Sequence, residues 1–297
     1  TKAADAQLVK LIHGDAHPDG PGYSEKEIDN KINGEWKVEK QFTQLGSFLK
    51  VKDPENKLAI DGDFTIFGYI YPSTPKTGHH QWIFSRWDNK TNEGYGIGIN
   101  KDGYLELVVG DGKEVDYLIS ELPIVKKIWY FVAATFNYKT GEATLHQEGV
   151  LTRYNSLLGK VVPYDYRSHT KTTFRFKQKN NPNPPFIVSG AEDLHELRGR
   201  FISGTYAGKV DRHGVCSKVL SKEDLDKIRD GDLPENNSIV AYWDTTVGFS
   251  DNGINNTVID IGPNKLNSEG HNHPVRAMTG WNWNCLLYTS DAADDSL

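Results

Sequence analysis

Residues 128–149 read IWYFVAATFNYKTGEATLHQEG. Within them Trp129 to Asn137 (WYFVAATFN) is the most apolar short run in the chain. Its aromatic and β-branched side chains suit a pleated, well-covered surface, so it predicts a strand. Thr140-Gly141 is a turn signal. Glu142 to Gln147 (EATLHQ) returns as a second strand, and Glu148-Gly149 ends it.

The same texture extends outward on both sides. Phe48 to Val51 is a short strand, and Asp61-Gly62-Asp63 turns the chain into Phe64 to Tyr71 (FTIFGYIY). That run places Phe64, Ile66, Gly68 and Ile70 on one face and Thr65, Phe67, Tyr69 and Tyr71 on the other. Bulk on both faces predicts a strand covered on both sides. Gln81 to Trp87 (QWIFSRW) follows. Gly94 to Asn100 (GYGIGIN) and Tyr104 to Val109 form a hairpin through Asp102-Gly103. Phe186 to Ser189, Gly208 to Val215 and Ile239 to Trp243 are further strands. Leu220 to Asp230 (LSKEDLDKIRD) is the one clear helix, with Ser221 as N-cap, Asp224 three residues on, Leu225 and Ile228 facing inward and Gly231 as the stop. Leu151 to Pro185 is polar and basic, and it reads as an excursion from the sheet.

About ten to twelve short strands with one short helix predict an all-β, two-sheet antiparallel sandwich of jelly-roll type. No 20–50-residue repeat is present, which argues against propellers and solenoids. Phe64, Ile66, Trp129, Phe131, Ala133, Val210 and Trp243 are the expected core. The expected organisation is an arm over 1–40, the sandwich over 41–247, and a linker into a further domain over 248–284.

The chain has 297 residues, 37% of them hydrophobic and 11% aromatic, which is ample for a core. A net charge of −6 argues against a nucleic-acid partner. No apolar run approaches the ~20 residues that cross a bilayer, and the expectation is a cytoplasmic protein with no membrane partner. Residues 285–297 (CLLYTSDAADDSL) resemble a translated transposase sequencing adapter from Cys285 through Asp294. They are read as an artefact, and the chain as a piece of a longer protein. Without Asp291, Asp294 and Asp295 the net charge becomes −3. Cys216 is then a lone cysteine with no internal disulfide partner, which suits a reducing compartment.

The order of motifs resembles a laminin-G or concanavalin-A-like jelly roll: IDGDFTIFGYIYP, WIFSRWD, GYGIGINKDGYLEL, residues 128–149, GKVDRHGVCSKVLSKEDLDKI and IVAYWD. The flanks are more specific. LVKLIHGDAHPDGPG at 8–22 and PVRAMTGWNW at 274–283 resemble the N,N-dimethylformamidase large-subunit family. The resemblance implies an amide hydrolase whose iron, held by tyrosine and glutamate, belongs to a later catalytic domain. It therefore implies no catalytic residue, no metal ligand and no cofactor in this chain. It also implies as partners that catalytic domain of the same polypeptide and a small subunit or further copies of the chain.

No Gly-x-Ser-x-Gly elbow is present. Glu121 with Glu114 or Asp116 is the best imitation of a glycosidase pair, and Glu192, Asp193 and Glu196 sit in a loop. His13, Asp15 and His17, His79-His80 and His271-x-His273 lack convincing zinc spacing. Asp61, Asp63 and Asp88 are acidic turn residues, more simply read as turns than as a calcium rim. Trp82 and Trp87 have opposite parity on one strand, so one is expected to face outward. They are the candidate ligand-binding residues for the alternative function, an independent glycan-binding module.

Overall fold

A computed structural model describes residues 46–149, 154–155, 160–161, 167–174, 184–195, 199–233, 238–245, 247–248, 257–272 and 274. The arm over 1–40, the segment after 274 with Trp281 and Trp283, and the 285–297 tail lie outside them. So do His13, Asp15, His17, Glu196 and His273.

The described strands in chain order are β1 (Phe48–Val51), β2 (Phe64–Pro72), β3 (Gln81–Asp88), β4 (Glu93–Ile99), β5 (Tyr104–Asp111), β6 (Val115–Pro123), β7 (Tyr130–Phe136), β8 (Glu142–Gly149), β9 (Tyr154–Asn155), β10 (Lys160–Val161), β11 (Arg167–Thr173), β12 (Ile187–Val188), β13 (Ala191–His195), β14 (Gly199–Ser203), β15 (Gly208–Cys216), β16 (Ile239–Trp243), β17 (Thr257–Val258) and β18 (Ser268–His271). The helix α1 spans Lys222–Asp230.

Two sheets stack as a sandwich. The larger runs β17-β18-β1-β12-β3-β4-β5-β6, with the β13–β14 hairpin attached to β3, and the smaller runs β11-β8-β7-β2-β15-β16. The main core between them is Phe64, Ile66 and Ile70 of β2 with Tyr130, Val132, Ala134 and Phe136 of β7, facing Ile97, Leu105, Leu107 and Val109. This is the jelly-roll sandwich predicted from the sequence.

Phe131 and Ala133 point the other way. With Phe67, Tyr69, Cys216 and Tyr242 they form a second cluster, under Leu220, Leu225 and Ile228 of the α1 segment. The helix therefore covers the outer face of the smaller sheet, which is why β2 and β7 are apolar on both sides. Burial of the Cys216 thiol raises its pKa to about 12, so it is unreactive. Ser221 caps α1 by accepting from the Asp224 N–H at 3.1 Å, and Gly231 closes it in the left-handed region at φ 108°.

Three expectations need correction. Trp129 is half-buried at the margin of the second cluster, because it precedes the ladder and packs its ring on Tyr71 at 5.3 Å. Val210 is likewise half-buried against the main core. The 151–185 stretch is not wholly an excursion: β11 pairs with β8 along its whole length. Its polarity is that of an edge strand, with alternate residues exposed.

The sandwich also runs past 247. β18 pairs with β1 from Phe48↔His271 to Val51↔Ser268. Asp260, fully buried, accepts backbone N–H bonds from Tyr242 (2.9 Å), Gly262 (2.7 Å) and Leu266 (2.6 Å), tying this segment to β16. Trp243 donates its indole N–H to the Leu266 carbonyl at 2.7 Å. Its ring stacks between Phe186 at 5.6 Å and His213 at 5.1 Å.

Candidate functional site

The outer face of the larger sheet holds the aromatic residues singled out from the sequence. A bulge between Trp82 and Phe84 shifts the β3–β4 register by one residue. Trp82 and Trp87, of opposite parity in sequence, consequently share the outer face, which corrects the expectation that one turns inward. Both are nevertheless buried, at 5% and 3% exposure. Their rings lie 5.4 Å apart and pack with Val108, Ala191 and Val115.

Glycines make this burial possible. The outward positions of β4 are Gly94, Gly96 and Gly98. They leave a trough into which neighbouring side chains lie flat. A Cβ on Gly98 would come within 2.5 Å of the His80 ring, and one on Gly110 within 2.7 Å of the Trp87 ring. His80 stretches across the trough until Nε2 stands 2.6 Å from Glu106 Oε1, with its ring 4.3 Å from Trp82. Glu106 is itself buried. Tyr117 and Ile119 of β6 edge this panel, directly across from Val108 and Glu106, and are exposed at 56% and 45%. Partial burial and the Glu106 charge raise the Tyr117 phenol pKa. The alternating glycines at 94, 96 and 98 were the sequence signal for this arrangement.

At one end of the panel Arg200 spans two buried carboxylates, Asp88 at 3.1 Å and Glu192. Asp88 also accepts from the N–H groups of Lys90 and Thr91, at 2.8 and 3.2 Å. Asn89 donates to Ser203 Oγ, which donates to Asp193, both at 2.9 Å. These bonds occupy the acidic groups in holding the β13–β14 hairpin to β3. Asp63 accepts from the Tyr138 N–H at 2.8 Å, in a turn role. Asp116 and Glu121 stand five positions apart on β6, with an irregularity in the β5–β6 ladder between Ile119 and Pro123. His271 stacks on Phe48 at 4.9 Å. Among the described residues no group of three or more His, Cys, Asp or Glu side chains could hold a metal ion. No helix among them is long and apolar enough to cross a membrane.

Fold and site together define a concanavalin-A-like β-sandwich module. Residues 45–186 match the concanavalin A-like lectin/glucanases superfamily. A crystal structure of a proposed carbohydrate-binding protein from Bacteroides ovatus is similar in fold, with a TM-score of 0.56 at 13% identity over 80% of this chain and 59% of that one. The particular relationship is to N,N-dimethylformamidase beta subunits. The chain is 33% identical over 282 residues to that of Alcaligenes sp and 33% identical over 285 residues to that of Paracoccus aminophilus. Each match takes in 94% of this chain but 37% of the relative, so the chain spans little more than a third of their length.

Proposed function

We propose that this chain is the non-catalytic jelly-roll portion of an N,N-dimethylformamidase-like amide hydrolase large subunit, acting in assembly rather than in chemistry. The observation that carries this reading is the identity to the beta subunits over nearly the whole chain. The outer face of the larger sheet supports it. Its tryptophans are packed against the fold's own side chains, whereas a sugar platform needs an accessible ring beside convergent polar groups. The rest of the polypeptide would carry the tyrosine- and glutamate-held iron and the amide hydrolysis. A catalytic domain, a small subunit or further copies of the chain would be its partners, in the cytoplasm.

Purified chain incubated with dimethylformamide should release no dimethylamine and retain no stoichiometric iron. Supplied with the remainder of the large subunit, it should restore a soluble, active assembly. Dimethylamine release by the isolated chain would overturn the non-catalytic reading. A glycan array tests the alternative: no selective capture is expected, and capture of one oligosaccharide that is lost in Trp82→Ala or Trp87→Ala variants that still fold would replace assembly by glycan binding.

A further inference from the structure

The outer face of the smaller sheet carries a histidine pair that an assembly role does not use. His146 on β8 and His169 on β11 stand directly opposite each other in the antiparallel register. Their Nδ1 atoms are 3.0 Å apart. The ring centroids are only 4.1 Å apart, at an interplanar angle of 61°. The contact is a hydrogen bond in which one ring donates its Nδ1–H to the other, and a bound metal would take the place of that shared proton. His146 is buried and His169 exposed, so the pair is reached from the His169 side.

The rest of the His146 ring is held in place. Nε2 is 3.3 Å from Thr144 Oγ1, which is 2.6 Å from Thr135 Oγ1. An Nε2–H donating into this hydroxyl chain leaves Nδ1 as the lone-pair nitrogen. Metal-binding imidazoles are oriented in this way, by a hydrogen bond from the ring nitrogen that does not bind the metal. Asp226 and Lys222 of α1, themselves 3.0 Å apart, are the charged groups whose fields reach His146.

We propose that His146 and His169 form a two-nitrogen site for a late first-row divalent transition metal, Cu2+ foremost. Two imidazole nitrogens ~2.0 Å from one metal lie ~3.0–3.3 Å apart, close to the length of the hydrogen bond the metal would replace, so little rearrangement of the pair is needed. Copper heads the affinity order for nitrogen ligands. Water completes the coordination, so a strong chelator should remove the metal readily.

The test is Cu2+ titration of the full chain followed by electron paramagnetic resonance. The expected spectrum shows one equivalent with hyperfine structure from two equatorial nitrogens. His169→Gln, at an exposed position, should lose that equivalent while melting as the metal-free wild type does, and His79→Gln should retain it. Sub-stoichiometric Cu2+ should broaden the imidazole resonances of His146 and His169 first, a readout that needs no variant. Equal equivalents and identical spectra in wild type and His169→Gln, or broadening that spares these two rings, would overturn the site.

Discussion

His213 sits between Phe84 and Trp243, with ring centroids 5.2 and 5.1 Å away, and neither of its nitrogens has a hydrogen-bond partner. It behaves as an aromatic filler that happens to titrate. Burial lowers its pKa from 6.5 to about 3. Between those values the unfolded chain takes up a proton that the folded chain refuses. The stability His213 contributes is therefore complete above pH 6.5 and drains away as pH falls toward 3. His146, lowered to about 4, acts in the same sense, while burial raises the Asp211 carboxyl pKa and so acts in the opposite one. Comparing wild type with His213→Phe isolates the single group. The variant keeps the stack and loses the titration, so its stability should fall less between pH 6 and 4, by about 1.4 kcal/mol per pH unit. Urea midpoints across that range measure it.

Two of the features that hold helix α1, its N-cap and an inward-facing side chain, should rank by mechanism. Ser221→Ala removes one hydrogen bond to an exposed backbone N–H and should cost ~1 kcal/mol. Leu225→Ala opens a void in the second buried cluster and should cost ~2–5 kcal/mol. Denaturant curves for the two variants should separate accordingly, and equal losses would mean the helix is held by something else. The helix, the β4–β5 hairpin and the cores of β2, β3 and β7 were legible because each carries its own local signal: cap residues, Asp102-Gly103, runs of aromatic and β-branched residues. β6, β11, β13, β14, β17 and β18 were not, and Glu192 and Asp193, read as loop residues, lie on β13. Edge strands such as β11 are half solvated and read as loops, and two- to four-residue strands carry no period. The facing of Trp82 was hidden for another reason. A bulge exists only in the pairing of two strands, and no single-strand parity can contain it.

At the scale of the molecule, the buried Asp260 and the β1–β18 ladder make residues 257–271 part of the sandwich. A chain ending at 247 leaves β1 unpaired on one side and strips Trp243 of its Leu266 partner. Residues 45–247 should therefore express as an aggregating or molten species, and residues 45–274 as a cooperative folder, by near-ultraviolet circular dichroism and urea titration. Sharp unfolding of the shorter piece would place the 257–271 segment outside the folding unit. The glycine trough of β4 bears on the order of events as the chain folds. A strand with alternate bare positions loses the most backbone freedom on ordering and offers the least surface to hold it, so it has little reason to form by itself. It becomes favourable once β3 and β5 are at hand to lay His80 and Trp87 across it. β4 should then be among the last strands to lock. Ile97→Val should leave the folding limb of the chevron nearly unmoved and act almost wholly on unfolding, with a φ-value near zero. A fast-unfolding variant at this position would mean that the seam where the sandwich first opens runs beneath its own aromatic panel.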